Sequence, residues 1–226
     1  MRVSVAGVIA ALGLATAANA TTIMQTQSFG PATPNFSSTL TFNKYTGLAS
    51  DIVSVKVKIQ LDISGGLLEL DNDGANGASG TAELGATAGI SSSDVSLLDN
   101  LFQPVTGVAS ASNATGFSIA GNDGDAIGSF EAGGLDYFLF NGSAAADMKM
   151  GFINTLFHGQ YAGGGTFDIL LDANQIFEFG AIGGIAFAGS PVTASGNVMI
   201  IYEVIPTPSA AALLGLGGLL VARRRR

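Results

Sequence analysis

The chain has 226 residues, 47% of them hydrophobic and 12% charged, with a mean hydropathy of +0.44 and no Cys or Trp. Without Cys there is no disulfide framework, no thiolate metal site and no cysteine nucleophile. A formal charge of −8 argues against a nucleic-acid binder, which needs Lys and Arg to displace phosphate counterions, and so much apolar content argues against disorder.

Residues 1–20 read as a secretory signal peptide. Arg2 is a minimal positive start, an apolar run follows, and Ala18 and Ala20 are small residues at the two positions a signal peptidase reads. Cleavage is expected after Ala20. The apolar run is shorter than the roughly 20 residues of a membrane anchor.

Residues 21–205 form the predicted body, an all-β single domain of antiparallel strands, a β-sandwich or jelly roll. Residues 38–43 place Leu40 and Phe42 on one face. The clearest strand is 53–63. There Val53, Val55, Val57, Ile59, Leu61 and Ile63 alternate with polar residues, so one face is buried and one is wet. Gly65-Gly66 reads as a turn from which residues 67–70 return antiparallel. Residues 92–102 are the best helical candidate, with Val95, Leu98, Leu101 and Phe102 near helical spacing. Further short strands are predicted at 135–141, 148–153, 166–171, 176–180, 185–188 and 197–204, separated by Gly, Asn, Asp or Ser. The pairs Phe138/Phe140 and Phe177/Phe179 are expected to share buried faces.

Two loops carry the candidate metal ligands. Asp71-Asn72-Asp73-Gly74 and Asn122-Asp123-Gly124-Asp125 both set oxygen ligands on flexible backbone, as structural calcium requires. Asp71, Asp73, Asp123 and Asp125 are the named candidates. Neither loop completes an EF-hand, and plain Asx turns explain the same composition. His158 is the sole histidine, with no acid beside it and no Gly-x-Ser-x-Gly elbow in the chain, so no catalytic residue is assigned. The 14 Phe against 4 Tyr read as core rather than as sugar-binding platforms.

The start of the body, Thr22-Ile23-Met24-Gln25-Thr26-Gln27-Ser28-Phe29 through Pro34-Asn35-Phe36-Ser37 to Leu40-Thr41-Phe42-Asn43-Lys44-Tyr45, resembles the opening of the choice-of-anchor E domain. Ala194-Ser195-Gly196-Asn197-Val198 to Tyr202 resembles that family's last strand. The match is good over 22–63 and looser to about 204. The resemblance implies a secreted body without catalytic residues, carried with varying C-terminal anchors.

The last segment, 206–226, has three parts. Pro206-Thr207-Pro208 comes first, residues 210–222 contain no polar side chain, and Arg223, Arg224, Arg225 and Arg226 close the chain. Thirteen helical residues span about 20 Å against a hydrocarbon core of about 30 Å. The segment is therefore a poor permanent anchor, though an ordinary short tail anchor is the plainer alternative. The arginines should stay cytoplasmic and stop export. The pattern resembles the PEP-CTERM sorting signal of Gram-negative bacteria, with Thr207 where that family usually has Glu. The resemblance implies transient inner-membrane insertion, cutting near the prolines by an exosortase-type transpeptidase after passage through the export machinery, and transfer to the cell surface or an exopolysaccharide matrix.

With both ends set aside, the body keeps Lys44, Lys56, Lys58 and Lys149, four lysines against 17 acidic residues, a formal −13. The function expected from these readings is structural or adhesive and non-enzymatic, without a cofactor unless calcium is bound. The rival is a calcium-dependent carbohydrate-binding module of the matrix.

Overall fold

A computed structural model describes residues 20–124, 130–180 and 184–205. They form mostly antiparallel β-sheet. In chain order the strands are β1 (Thr21–Ala32), β2 (Phe36–Asn43), β3 (Ile52–Ser64), β4 (Leu67–Asn72), β5 (Ala78–Ser91), β6 (Ala109–Ile119), β7 (Tyr137–Asn141), β8 (Ala145–Phe152), β9 (Thr166–Phe179), β10 (Ile185–Ser190) and β11 (Thr193–Val204). Two four-stranded sheets, β1-β11-β3-β8 and β2-β9-β5-β6, accompany a three-stranded sheet, β10-β4-β7. No described helix is long and apolar enough to cross a membrane.

The alternation in β3 does what period two dictates. Val55, Val57, Ile59, Leu61 and Ile63 are buried and join one continuous core with Val198, Ile200 and Tyr202 of β11, Leu84 of β5, and Phe167, Ile169 and Leu171 of β9. Leu40 and Phe42 of β2 are buried as expected. Val53 is not: it is 45% exposed and Ile52 takes the buried place. The ladder to β11 slips by one residue between Glu203 and Val204, and a slip of one moves a side chain to the other face.

Five other expectations change. Residues 67–70 do not fold back on β3. Gly65 and Gly66 have φ of +70° and +94°, and they carry the chain into the third sheet, where β4 lies between β7 and β10. The segments 166–171 and 176–180 are one strand, β9, and Leu135 stays outside β7. Residues 92–102 form no helix. The Ser92 hydroxyl accepts from the N–H groups of Asp94 and Val95, and Asp99 Oδ1 accepts from Leu101 and Gln103, so side chains take backbone donors that a helix needs. The two Phe pairs do share faces, but half-buried rather than buried.

Both open sides between the four-stranded sheets are closed by side chains. Gln25 Nε2 donates to Asn43 O at 2.8 Å, Asn43 N donates back to Gln25 Oε1 at 2.8 Å, and Gln27 Nε2 donates to Thr41 O at 2.9 Å. β1 thus occupies the free edge of β2. On the other side, Ser110 N of β6 donates to Asp147 Oδ2 of β8 at 2.9 Å, and Asn113 Nδ2 donates to Ser143 O at 2.8 Å. Unpaired edge groups invite pairing with other chains, and here several are satisfied internally.

Candidate functional site

The candidate site lies where β4 ends and β7 begins. β4 is the middle strand of the small sheet, with Leu68 and Leu70 packed into the core. Its end is acidic, Asp71-Asn72-Asp73. Asn72 N donates to Asp136 O at 3.1 Å, continuing the β4–β7 ladder by one rung. Asn72 Oδ1 accepts from Gly74 N at 3.0 Å, and its Nδ2 donates to Asn76 O and Ala120 O. Residues 120–122, just after β6, are laid across this end, with Asn122 N donating to Gly74 O at 2.8 Å and Ala120 N donating to Leu135 O at 3.0 Å. Asn72, a fully enclosed amide, is therefore the clip that joins the two Asp-Asn-Gly loops.

The two loops read separately in the sequence thus meet in space. Asp71 and Asp136 are each 0% exposed. Each uses one carboxylate oxygen to hold a loop: Asp71 Oδ2 accepts from Glu131 N at 2.8 Å, and Asp136 Oδ2 accepts from Asp123 N at 2.9 Å. The other oxygen of each, Oδ1, is buried with no partner, and so is Asp73 Oδ1. A methyl group at Gly134 would collide with Asp123 Oδ2 and lie 2.9 Å from Asp136 Oδ1. Both oxygens therefore crowd one point, and the φ of +87° at Gly134 suits a residue without Cβ.

Among the described residues the cations lie elsewhere. Lys56 and Lys58 belong to β3, Lys149 to β8, and Lys44 follows β2, all outside the small sheet. The ion pair among the described residues, Lys149 Nζ to Asp147 Oδ2 at 3.0 Å, lies in another sheet. Among the described residues no three Asp, Glu, His or Cys side chains form a ready-made metal cage. What the site offers is a pair of close carboxylates, Asp123 and Asp136, beside two more acids with idle oxygens.

Of the residues singled out in the sequence, Asp71, Asp73 and Asp123 fall in this region. Asp125, Ala18, Pro206, Thr207, Pro208 and the four terminal arginines lie outside the described residues, and Ala20 is exposed just before β1. Asp136 escaped the sequence reading. Its one signal is an acid two residues after Gly133-Gly134 and directly before an aromatic strand. His158 is buried in a short 3-10 turn, Thr155–Tyr161, with Nε2 lacking a partner.

A second concavity is lined by Thr81, Glu83, Phe177, Glu178, Phe179 and Gly180. Register places Glu83 of β5 directly opposite Glu178 of β9, a like-charge apposition. Phe187 of β10 packs beside this groove, with ring centroids 6.2 Å from Phe177 and 5.2 Å from Phe179.

No protein-family model matches the chain, and no curated protein matches it. Among solved structures, the chain is similar over 84% of its length to a chain in the structure of infectious bursal disease virus Gx strain, at 13% identity and a TM-score of 0.16, covering 42% of that chain. The Gt strain structure gives 86% coverage, 12% identity, a TM-score of 0.10 and 43% of that chain. The chain spans less than half the length of these viral chains, and likenesses this slight carry no argument.

Proposed function

We propose that this chain is an exported bacterial surface or matrix protein: a β-sandwich body of structural or adhesive, non-enzymatic role, delivered by a cleavable leader and a C-terminal sorting tail. The observation that carries the reading is the three-part tail, Pro206-Thr207-Pro208, the apolar run and the four arginines. A short apolar span held by a cytoplasmic charge block is suited to transient membrane retention and removal. The resemblance to PEP-CTERM signals assigns that removal to an exosortase-type transpeptidase.

The body is consistent with such a destination. Its formal −13 keeps copies apart and soluble, and its two seams are tied by side chains rather than left open. The last described residue, Ile205, is fastened by its N–H to Asp51 O at 2.9 Å, and the proline motif begins at the next position. A cut at the prolines would leave every strand of the body intact.

The test is to fuse residues 206–226 to an exported reporter in a Gram-negative host that carries an exosortase. The expected result is a shortened reporter held at the envelope or in the matrix, and an uncut, membrane-bound precursor in a host lacking the enzyme. A reporter neither cut nor retained in the first host would overturn the sorting claim.

A further inference from the structure

We propose that the junction of β4, residues 120–124 after β6 and the start of β7 binds one calcium ion between the carboxylates of Asp123 and Asp136. Asp71 and Asp73 supply negative potential around it. The site lies wholly in the body, so it is independent of whether the tail is cut.

Three observations carry this. The first is unfinished hydrogen bonding. Asp136 is fully buried, yet only Oδ2 has a donor, and Oδ1 faces no partner. Buried polar atoms are ordinarily satisfied, and an unpaired one costs free energy. The second is convergence. Asp136 Oδ1 and Asp123 Oδ2 both crowd the position a Cβ would take on Gly134. Their separation is bounded by about twice a calcium–oxygen distance of roughly 2.6 Å. The third is charge. Asp71, Asp73, Asp123 and Asp136 gather at the end of a sheet that holds no lysine, in a body without arginine. Like charges gathered this closely repel one another, and a bound cation offsets that repulsion.

Chemistry selects the ion. The donors are all oxygen, with no Cys and with His158 in a different element, which sets aside zinc. Two carboxylates completed by carbonyls and water suit calcium, which accepts six to eight oxygens in loose geometry, better than magnesium, which insists on a tight octahedron. Among the described residues two carboxylates converge, and so small a ligand charge suits the weak range of extracellular sites, about 10⁻⁴–10⁻³ M. That range matches millimolar calcium outside a cell.

The competing explanation is a pair of carboxylates that only hold their loops and bind no ion, and the experiment separates them. The full chain is freed of metal with EGTA, and melting is followed with added CaCl2 or MgCl2 at neutral pH, alongside calorimetric titration. Binding to the native state raises the melting temperature. One equivalent of calcium is expected, with a rise of roughly 5–10 °C at a hundredfold excess over Kd and a smaller rise with magnesium. Asp123 is exposed, so Asp123→Asn should fold and lose at least tenfold in calcium affinity. Asp136→Asn should do the same and melt higher than wild type in EGTA. Glu178→Gln, in the other acidic pair, should bind as wild type does. The proposal fails if calcium produces no shift. It fails equally if Asp123→Asn binds calcium unchanged, or if Glu178→Gln alone abolishes the shift, which would put the ion in the groove.

Discussion

The sheets β1-β11-β3-β8 and β2-β9-β5-β6 line one core but supply it differently. The first presents Val55, Val57, Ile59, Leu61, Val198, Ile200 and Tyr202. The second lines much of its share with Ala82, Ala86, Ala88, Ala109 and Ala111, and places most of its bulk on β2 and β9, with Leu84 on β5 and Phe117 and Ile119 at the end of β6. Their outer faces differ too. Register sets Lys56 and Lys58 in rows with Met24, Ile201, Phe152, Met199 and Met150 on the first. On the second, Glu83, Glu178, Asp168 and Asp172 face outward. Large β-branched side chains hold a strand by burial alone. A strand of alanines buries less area per residue, and depends more on its ladder and on the bulk brought by the opposite sheet.

That difference is most exposed by truncating the large side. Ile59, on the central strand β3, is fully buried. Ile59→Ala should cost about 2–5 kcal/mol, the transfer loss plus the cavity left behind, read as a lowered midpoint in urea unfolding. The small side is broken by the opposite change. Ala86→Leu adds volume between β6 and β9, and overpacking a filled core costs about 1–3 kcal/mol. If Ala86→Leu instead stabilised the protein, the alanine sheet would hold slack space, and the comparison would fail on that side.

The same contrast explains what could be read from the sequence. β3 was legible because its alternation is strict and its residues β-branched. β5 and β6 escaped because Ala, Gly and Ser carry little β signal. The short predicted strands at 38–43, 185–188 and 197–204 fall inside β2, β10 and β11. Which sheet a strand joins was less legible. Nothing in Leu67-Leu68-Glu69-Leu70 distinguishes pairing with β3 from pairing with β7 and β10, since either buries Leu68 and Leu70. The acidic loops were visible as Asp-Asn-Gly clusters, but their meeting depends on Asn72 reaching Ala120 and on Asp136 facing Asn72 across the ladder, both products of long-range register.

The seam between the two sheets gives a smaller effect with a definite pH signature. Asp147 of β8 accepts from Ser110 N of β6 and pairs with Lys149, and these contacts hold its carboxyl below the usual range, the Ser110 bond first among them. A carboxylate whose pKa is lowered by folding stabilises the fold above its unfolded value, about 3.9, and that contribution fades as pH falls through the folded value. Asp147→Asn should therefore lose at most about 1 kcal/mol at pH 7. The gap to wild type in urea unfolding should close as the pH drops below about 4. A gap independent of pH would mean that the seam relies on shape rather than charge.

The smallest effect belongs to the outer face of the alanine sheet. Glu83 and Glu178 stand opposite one another on β5 and β9, and like charges at that spacing oppose strand pairing by a few tenths of a kcal/mol. Glu178→Gln keeps the side chain's shape and removes the repulsion. It should raise the melting temperature by about a degree at low salt, since each kcal/mol moves a domain this size by roughly 2–4 °C. The gain should shrink at 1 M salt, where the screening length falls to about 3 Å. The corresponding change on the first sheet, Lys56→Gln, removes a cation seated 4.8 Å from the Phe152 ring centroid, and should destabilise slightly instead. Opposite signs for two neutralising substitutions, both fading with salt, are what the unlike outer faces require. Equal signs would mean that the pairing assigned to one of the two faces does not govern its response.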